Sequence, residues 1–124
     1  MGTVKNQSFT KIEHELIHAF REQINLAESM TDVKRVFSHT AQQLLLKVFN
    51  NRVDVKVDDV SLTPGQEPGY ALNETLLCND AFKELWSISD LRQIIERFAF
   101  SAAHRYKQLQ KHHDDGTASK IGRH

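Results

Sequence analysis

The residues His14-Glu15-Leu16-Ile17-His18 carry the sharpest chemical suggestion in the chain, because they satisfy the spacing H-E-x-x-H. Positions four apart on a helix share a face, so two imidazoles at that spacing can bind one zinc ion. The glutamate between them can then activate a water molecule. The chemistry implied is metal-assisted hydrolysis, with His14 and His18 as ligands and Glu15 as general base. A third protein ligand is needed, and His39 stands at a workable distance in sequence.

Helical geometry weighs against that reading. At about 100° per residue, the apolar stripe of this segment centres near Leu16, Phe20 and Ala27, and His14 and His18 fall about 140–180° away from it. His39 likewise turns away from Phe37, the centre of its own stripe. The five-residue pattern resembles that of the zincin metalloproteases, which set a substrate-binding edge strand ahead of the motif helix, but no alternation precedes His14 here. The preferred reading is a solvated helix face whose charges pair at i, i+4 spacing. A zinc-dependent, peptidase-like hydrolase stands as the alternative.

Other constellations are weaker. Glu15-x-x-His18 is half of a ferritin-like carboxylate site, yet Ser101 stands where a second copy before His104 needs a glutamate. His112-His113-Asp114-Asp115 reads as a solvated helix end with loose affinity for a metal ion at most. Asp54, Asp58 and Asp59 lack the glycine and terminal glutamate of a calcium loop. Cys78 is expected to be a small core residue, since no His or Lys adjoins it to make a thiolate.

The elements that must position these residues follow from periodicity. Thr10 and Glu13 form a capping box that opens a helix over 10–28, with Ile12, Leu16, Phe20, Ile24 and Ala27 on one stripe. Ser29 and Thr31 supply a break and a fresh cap for a second helix over 31–50, striped by Val33, Phe37, Ala41, Leu44 and Val48. The strict alternation of 53–58 predicts a half-buried strand, and 60–62 with 70–72 predicts a short pairing around the Pro- and Gly-rich loop 63–69. Asn73 or Asn79 caps a third helix over 74–87 that holds Leu76, Leu77, Phe82, Leu85 and Trp86. Asp90 with Gln93 opens a fourth over 90–112, striped by Leu91, Ile94, Ile95, Phe98, Ala102, Tyr106 and Leu109. The expected fold is mainly α: a four-helix bundle-like domain over 1–113, with a short β-hairpin or irregular excursion between helices two and three. The polar residues 114–124 are expected to form a flexible tail.

Composition narrows the function classes. The 124 residues are 40% hydrophobic, enough for one ordinary globular domain. Sixteen basic and sixteen acidic residues cancel, so the chain lacks the excess positive charge that usually accompanies a grip on nucleic acid. Arg97, Arg105, Lys107 and Lys111 form only a local basic cluster. One cysteine excludes an internal disulfide and a cysteine zinc cage. No run is long and apolar enough for a membrane span, and the opening MGTVKNQSF has no signal-like apolar core, so the expected address is the cytoplasm.

Partners are suggested by misplaced apolar residues. Phe100 lies about 160–170° from the stripe of its helix, beside His104 and Lys107, and Leu46 is similarly opposed to the stripe of helix two. Phe100, Leu46 and His104 are therefore the expected contact surface. Helices two and four are apolar on more than one face, which implies either a tightly wrapped core or another subunit. Self-association as a twofold homodimer is the expectation, with the 53–57 segment able to pair across the axis. The function expected is a small protein–protein interaction, assembly or regulatory module without its own catalysis. It needs no cofactor, and zinc enters only under the hydrolase alternative.

Overall fold

The computed structural model describes the backbone of residues 8–123 and the side chains of residues 8–111. The chain is mainly helical, with a two-stranded antiparallel hairpin between its second and third helices. The elements are α1 (Thr10–Leu26), α2 (Met30–Val48), a 3-10 turn (Val57–Asp59), β1 (Val60–Leu62), β2 (Tyr70–Leu72), α3 (Glu74–Leu77), α4 (Asp80–Ile88) and α5 (Leu91–Arg123). His112, His113 and the expected flexible tail fall where side chains lie outside the described residues. No described helix is long and apolar enough to cross a membrane.

Helix α2 occupies the middle, packing against α1, α5, β1 and the 3-10 turn. Its stripe residues Val33, Phe37, Ala41 and Leu44 are fully enclosed, joined by Leu45 from the adjoining face. A helix apolar over so wide an arc is one covered on several sides, and here the covering comes from the same chain. Phe20 and Ile24 of α1 and Leu91, Ile94, Ile95, Phe98 and Ala102 of α5 complete the core. The rings of Phe20 and Phe98 meet edge to face at 4.7 Å between centroids. A second aromatic group runs Phe49–Phe82–Trp86–Tyr70 and ties the end of α2 and the hairpin to α4.

Capping chemistry sets the boundaries. The Ser29 side chain accepts from the Asp32 amide at 3.0 Å, and the Asp32 carboxylate accepts from the Glu28 amide at 3.2 Å, so Ser29 alone starts α2. After α2 the chain turns through Asn50 and Asn51 at φ of 54° and 61°, a left-handed pair that asparagine tolerates better than most residues. Gly69, at φ of 101°, lets the loop close with its carbonyl accepting from the Thr63 amide at 2.9 Å.

Several local expectations change. Val53–Asp58 forms no ladder: Val53 and Val55 are buried, Val57 is exposed, and Gln42 Nε2 donates to the Val55 carbonyl at 2.9 Å. The alternation records burial against α2, while the only pairing partner among the described residues, β2, is taken by β1 in the register Val60–Leu72, Ser61–Ala71, Leu62–Tyr70. The expected helix over 74–87 is divided, because the Asn79 side chain accepts from the Phe82 amide at 3.0 Å and so begins α4 anew. The capping box of α1 does not close either, since α1 starts after Phe9 and the Glu13 carboxylate is bound elsewhere.

Helix α1 is instead held at one end by Asp90, the residue before α5, and at the other by Arg105 of α5. Asp90 accepts from the Phe9 amide at 2.8 Å and from the Ser8 hydroxyl at 2.9 Å, which places a carboxylate at the N-terminus of α1. Arg105 donates to the carbonyls of Ala27 at 2.9 Å and Asn25 at 3.2 Å, which places a guanidinium at the C-terminus. Both charges complement the helix dipole. Asp90→Ala is expected to cost about 1 kcal/mol and to speed amide exchange in the first turn of α1. Arg105→Ala should cost a similar amount and act on the last turn. Hydrogen exchange on both variants measures this, and protection lost uniformly along α1 would contradict separate end clamps.

Candidate functional site

The face of α1 that carries His14 and His18 looks into an open cleft of about 990 Å³ between α1 and α5. Ile17 and Arg21 continue that wall, and Gln93, Glu96, Arg97, Phe100 and Ser101 form the opposite one. Both histidines are exposed, as their distance from the apolar stripe implies, and neither has a hydrogen-bond partner among the described residues.

The two other groups a hydrolytic centre needs, a general base and a third ligand, do not gather there. Glu15 lies one residue around the helix and faces α2, where its carboxylate is 3.9 Å from the Lys47 ammonium. It lines a different cleft, with Ile12, Gln43, Leu46 and Asn50. His39 is exposed on α2 and lines neither cleft. Among the described residues, no group of three or more His, Cys, Asp or Glu side chains is arranged to hold a metal ion. The chain thus brings together two of the expected ligands and separates them from the third and from the general base.

A carboxylate that the sequence reading assigned to a cap organises the floor of the cleft. Glu13 is buried and accepts two parallel hydrogen bonds from Arg97, both at 2.8 Å. Such fork-to-fork pairs are the strong form of ion pair. Hydrogen bonding to Glu13 holds the Arg97 guanidinium above its ordinary value. Its signal in the sequence is position: Glu13 shares the helical face of Phe20 and Ile24, where a solvated residue does not belong.

Phe100 is 77% exposed, the most exposed large apolar side chain among the described residues. It borders three clefts at once. One is the α1–α5 cleft; the second lies against the loop residues Gly65–Gly69; the third lies beside Arg21, Ile24 and His104. His104 is exposed one turn further along α5 and contacts Gln108 at 3.3 Å. Leu46, by contrast, is half-buried against the core and belongs to the α1–α2 cleft, apart from Phe100 and His104. It faces away from its stripe, but α1 covers that side of α2.

The remaining candidates disperse. Cys78 is exposed, because the division between α3 and α4 puts it in the turn and not in a helix interior. Asp54 lies 3.7 Å from Lys56, and Asp59 is buried among internal donors, so the three aspartates do not surround a common point. Of the basic cluster on α5, Arg97 and Arg105 are committed to Glu13 and to the α1 carbonyls, which leaves Lys107 and Lys111 facing solvent. Burial raises the Tyr70 phenol above its ordinary value, with the nearby Glu96 carboxylate adding to the effect.

No protein-family model matches the chain, and no curated protein or solved structure matches it either.

Proposed function

We propose that the chain is a small contact module, an assembly or regulatory subunit of the cytoplasm that works as a homodimer and carries out no chemistry of its own. The observation that supports this is Phe100, a large aromatic side chain 77% exposed where three clefts meet. Aromatic side chains flanked by concave surface are the usual anchors of protein interfaces. A second copy is the favoured occupant because the formal net charge is zero, so two copies meet without long-range repulsion. In a twofold arrangement each Phe100 finds a cleft beside the Phe100 of the other copy. Sites of this kind need no cofactor, and Glu15, turned toward Lys47, has no part in them.

Sedimentation equilibrium tests the reading. The wild-type chain is expected to dimerise with concentration, and Phe100→Asp to weaken dimerisation by about tenfold or more, with the melting temperature unchanged at dilutions where both are monomers. A chain that stays monomeric at concentrations on the order of 100 µM, or a Phe100→Asp variant that associates like wild type, overturns it.

A further inference from the structure

We propose that His14 and His18 are half of a transition-metal site, zinc by class, which the same two histidines of a second copy complete. The inference rests on the homodimer reading and adds a ligand to it. Residues four apart on a helix hold their β-carbons about 5–6 Å from each other, a spacing from which two imidazoles can reach one ion. Both side chains are exposed, line the same cleft and are free of hydrogen-bond partners among the described residues. The nearby carboxylates lie against cations: Glu13 with Arg97 at 2.8 Å, Glu15 with Lys47 at 3.9 Å, and Glu96 with Arg92 at 3.9 Å.

One chain therefore offers two nitrogen donors and, among the described residues, no third ligand. Closed zinc sites are tetrahedral with four protein ligands, at about 2.0–2.1 Å for nitrogen. A twofold axis doubles whatever lies beside it, so two imidazoles become four without any rearrangement within the chain. Phe100 lines the same cleft, so a twofold axis that passes that cleft brings the histidines of the two copies together. Two cations share the cleft: Arg97 is paired with Glu13, and Arg21, one turn beyond His18, is exposed and free to swing toward water. Imidazole donors suit zinc, copper and nickel over magnesium or calcium.

The test is sedimentation of the full chain with EDTA and with added zinc sulfate, together with zinc counted per chain by elemental mass spectrometry. The expected result is one zinc per two chains and dimerisation about tenfold tighter in zinc than in EDTA. The paired variant His14→Ala with His18→Ala should dimerise as wild type does in EDTA and lose the response to zinc. A variant with His112, His113 and His124 changed to alanine should keep the response. Cobalt substituted for zinc should give the intense visible bands of a tetrahedral centre. Zinc bound one per chain without tighter association, or a zinc response surviving in the His14/His18 variant, overturns the metal site. Dimers indifferent to zinc also overturn it and leave the contact reading standing. Chains that associate in neither condition overturn both.

Discussion

Phe20→Ala is expected to lower the unfolding free energy by about 3–5 kcal/mol, the largest effect of any single substitution considered for this chain. The Phe20 ring is fully enclosed and meets the Phe98 ring edge to face at 4.7 Å. Truncation removes the transfer energy of the ring and leaves a cavity that α1 cannot collapse into, because Asp90 and Arg105 hold its two ends in place. The aromatic pair adds about 0.5–1.5 kcal/mol beyond the area buried. In thermal denaturation the loss should appear as a fall in melting temperature of roughly 10–20 °C. Phe100→Ala supplies the contrast: the same chemical change on an exposed ring should move the stability of the dilute, monomeric chain by no more than about 0.5 kcal/mol. Similar losses for the two variants would mean that the core does not lie between α1 and α5 as described.

The second large effect is expected at Asp59. Its side chain is only 2% exposed, yet no cation pairs with it among the described residues. Three neutral donors satisfy it: the Lys56 amide at 2.9 Å, Asn73 Nδ2 at 3.1 Å and the Thr75 hydroxyl at 3.3 Å. The Asp59 carbonyl also accepts from the Asn73 amide at 2.8 Å, so one residue joins the 3-10 turn, the end of the hairpin and the start of α3. Hydrogen bonds to a charged group contribute more than neutral ones, and donors left buried without an acceptor are costly. Asp59→Ala should therefore destabilise by about 2–4 kcal/mol. Asp59→Asn keeps one acceptor oxygen and offers a donor where an acceptor is needed, so about half of that loss should remain. Urea denaturation of both variants decides the matter, and an Asp59→Asn variant as unstable as Asp59→Ala would assign the effect to charge instead of hydrogen-bond count.

Asp59 also illustrates what could be read without the structure. The sequence placed it beside Asp54 and Asp58 as a superficial cluster, and nothing in the local pattern distinguishes the buried member from the exposed ones. Val53 and Val55 are a half success of the same kind: their alternation reports which side chains are buried, and it cannot report that the Val55 carbonyl bonds to Gln42 and not to a strand. The separation of Leu46 from Phe100 follows the same logic. Both oppose their own stripe, but only the neighbour across the interface decides whether that second face meets α1 or water.

The candidate site divides along the same line. That His14 and His18 share a face and point from the core was legible, because a repeat of 3.6 residues is local geometry that each stretch of chain carries by itself. The helical stripes, the hairpin between Val60 and Leu72 and the caps at Ser29 and Asn79 are local in the same sense. What only the tertiary structure decided is which distant residue answers each polar group. Glu13 binds Arg97 across 84 positions, Phe9 binds Asp90 across 81, and Arg105 reaches the Ala27 carbonyl across 78. Those pairings depend on the angle and register at which α5 lies along α1, set by the fit of Phe20 against Phe98 and by the packing of both helices on α2. No periodicity within either helix encodes that fit.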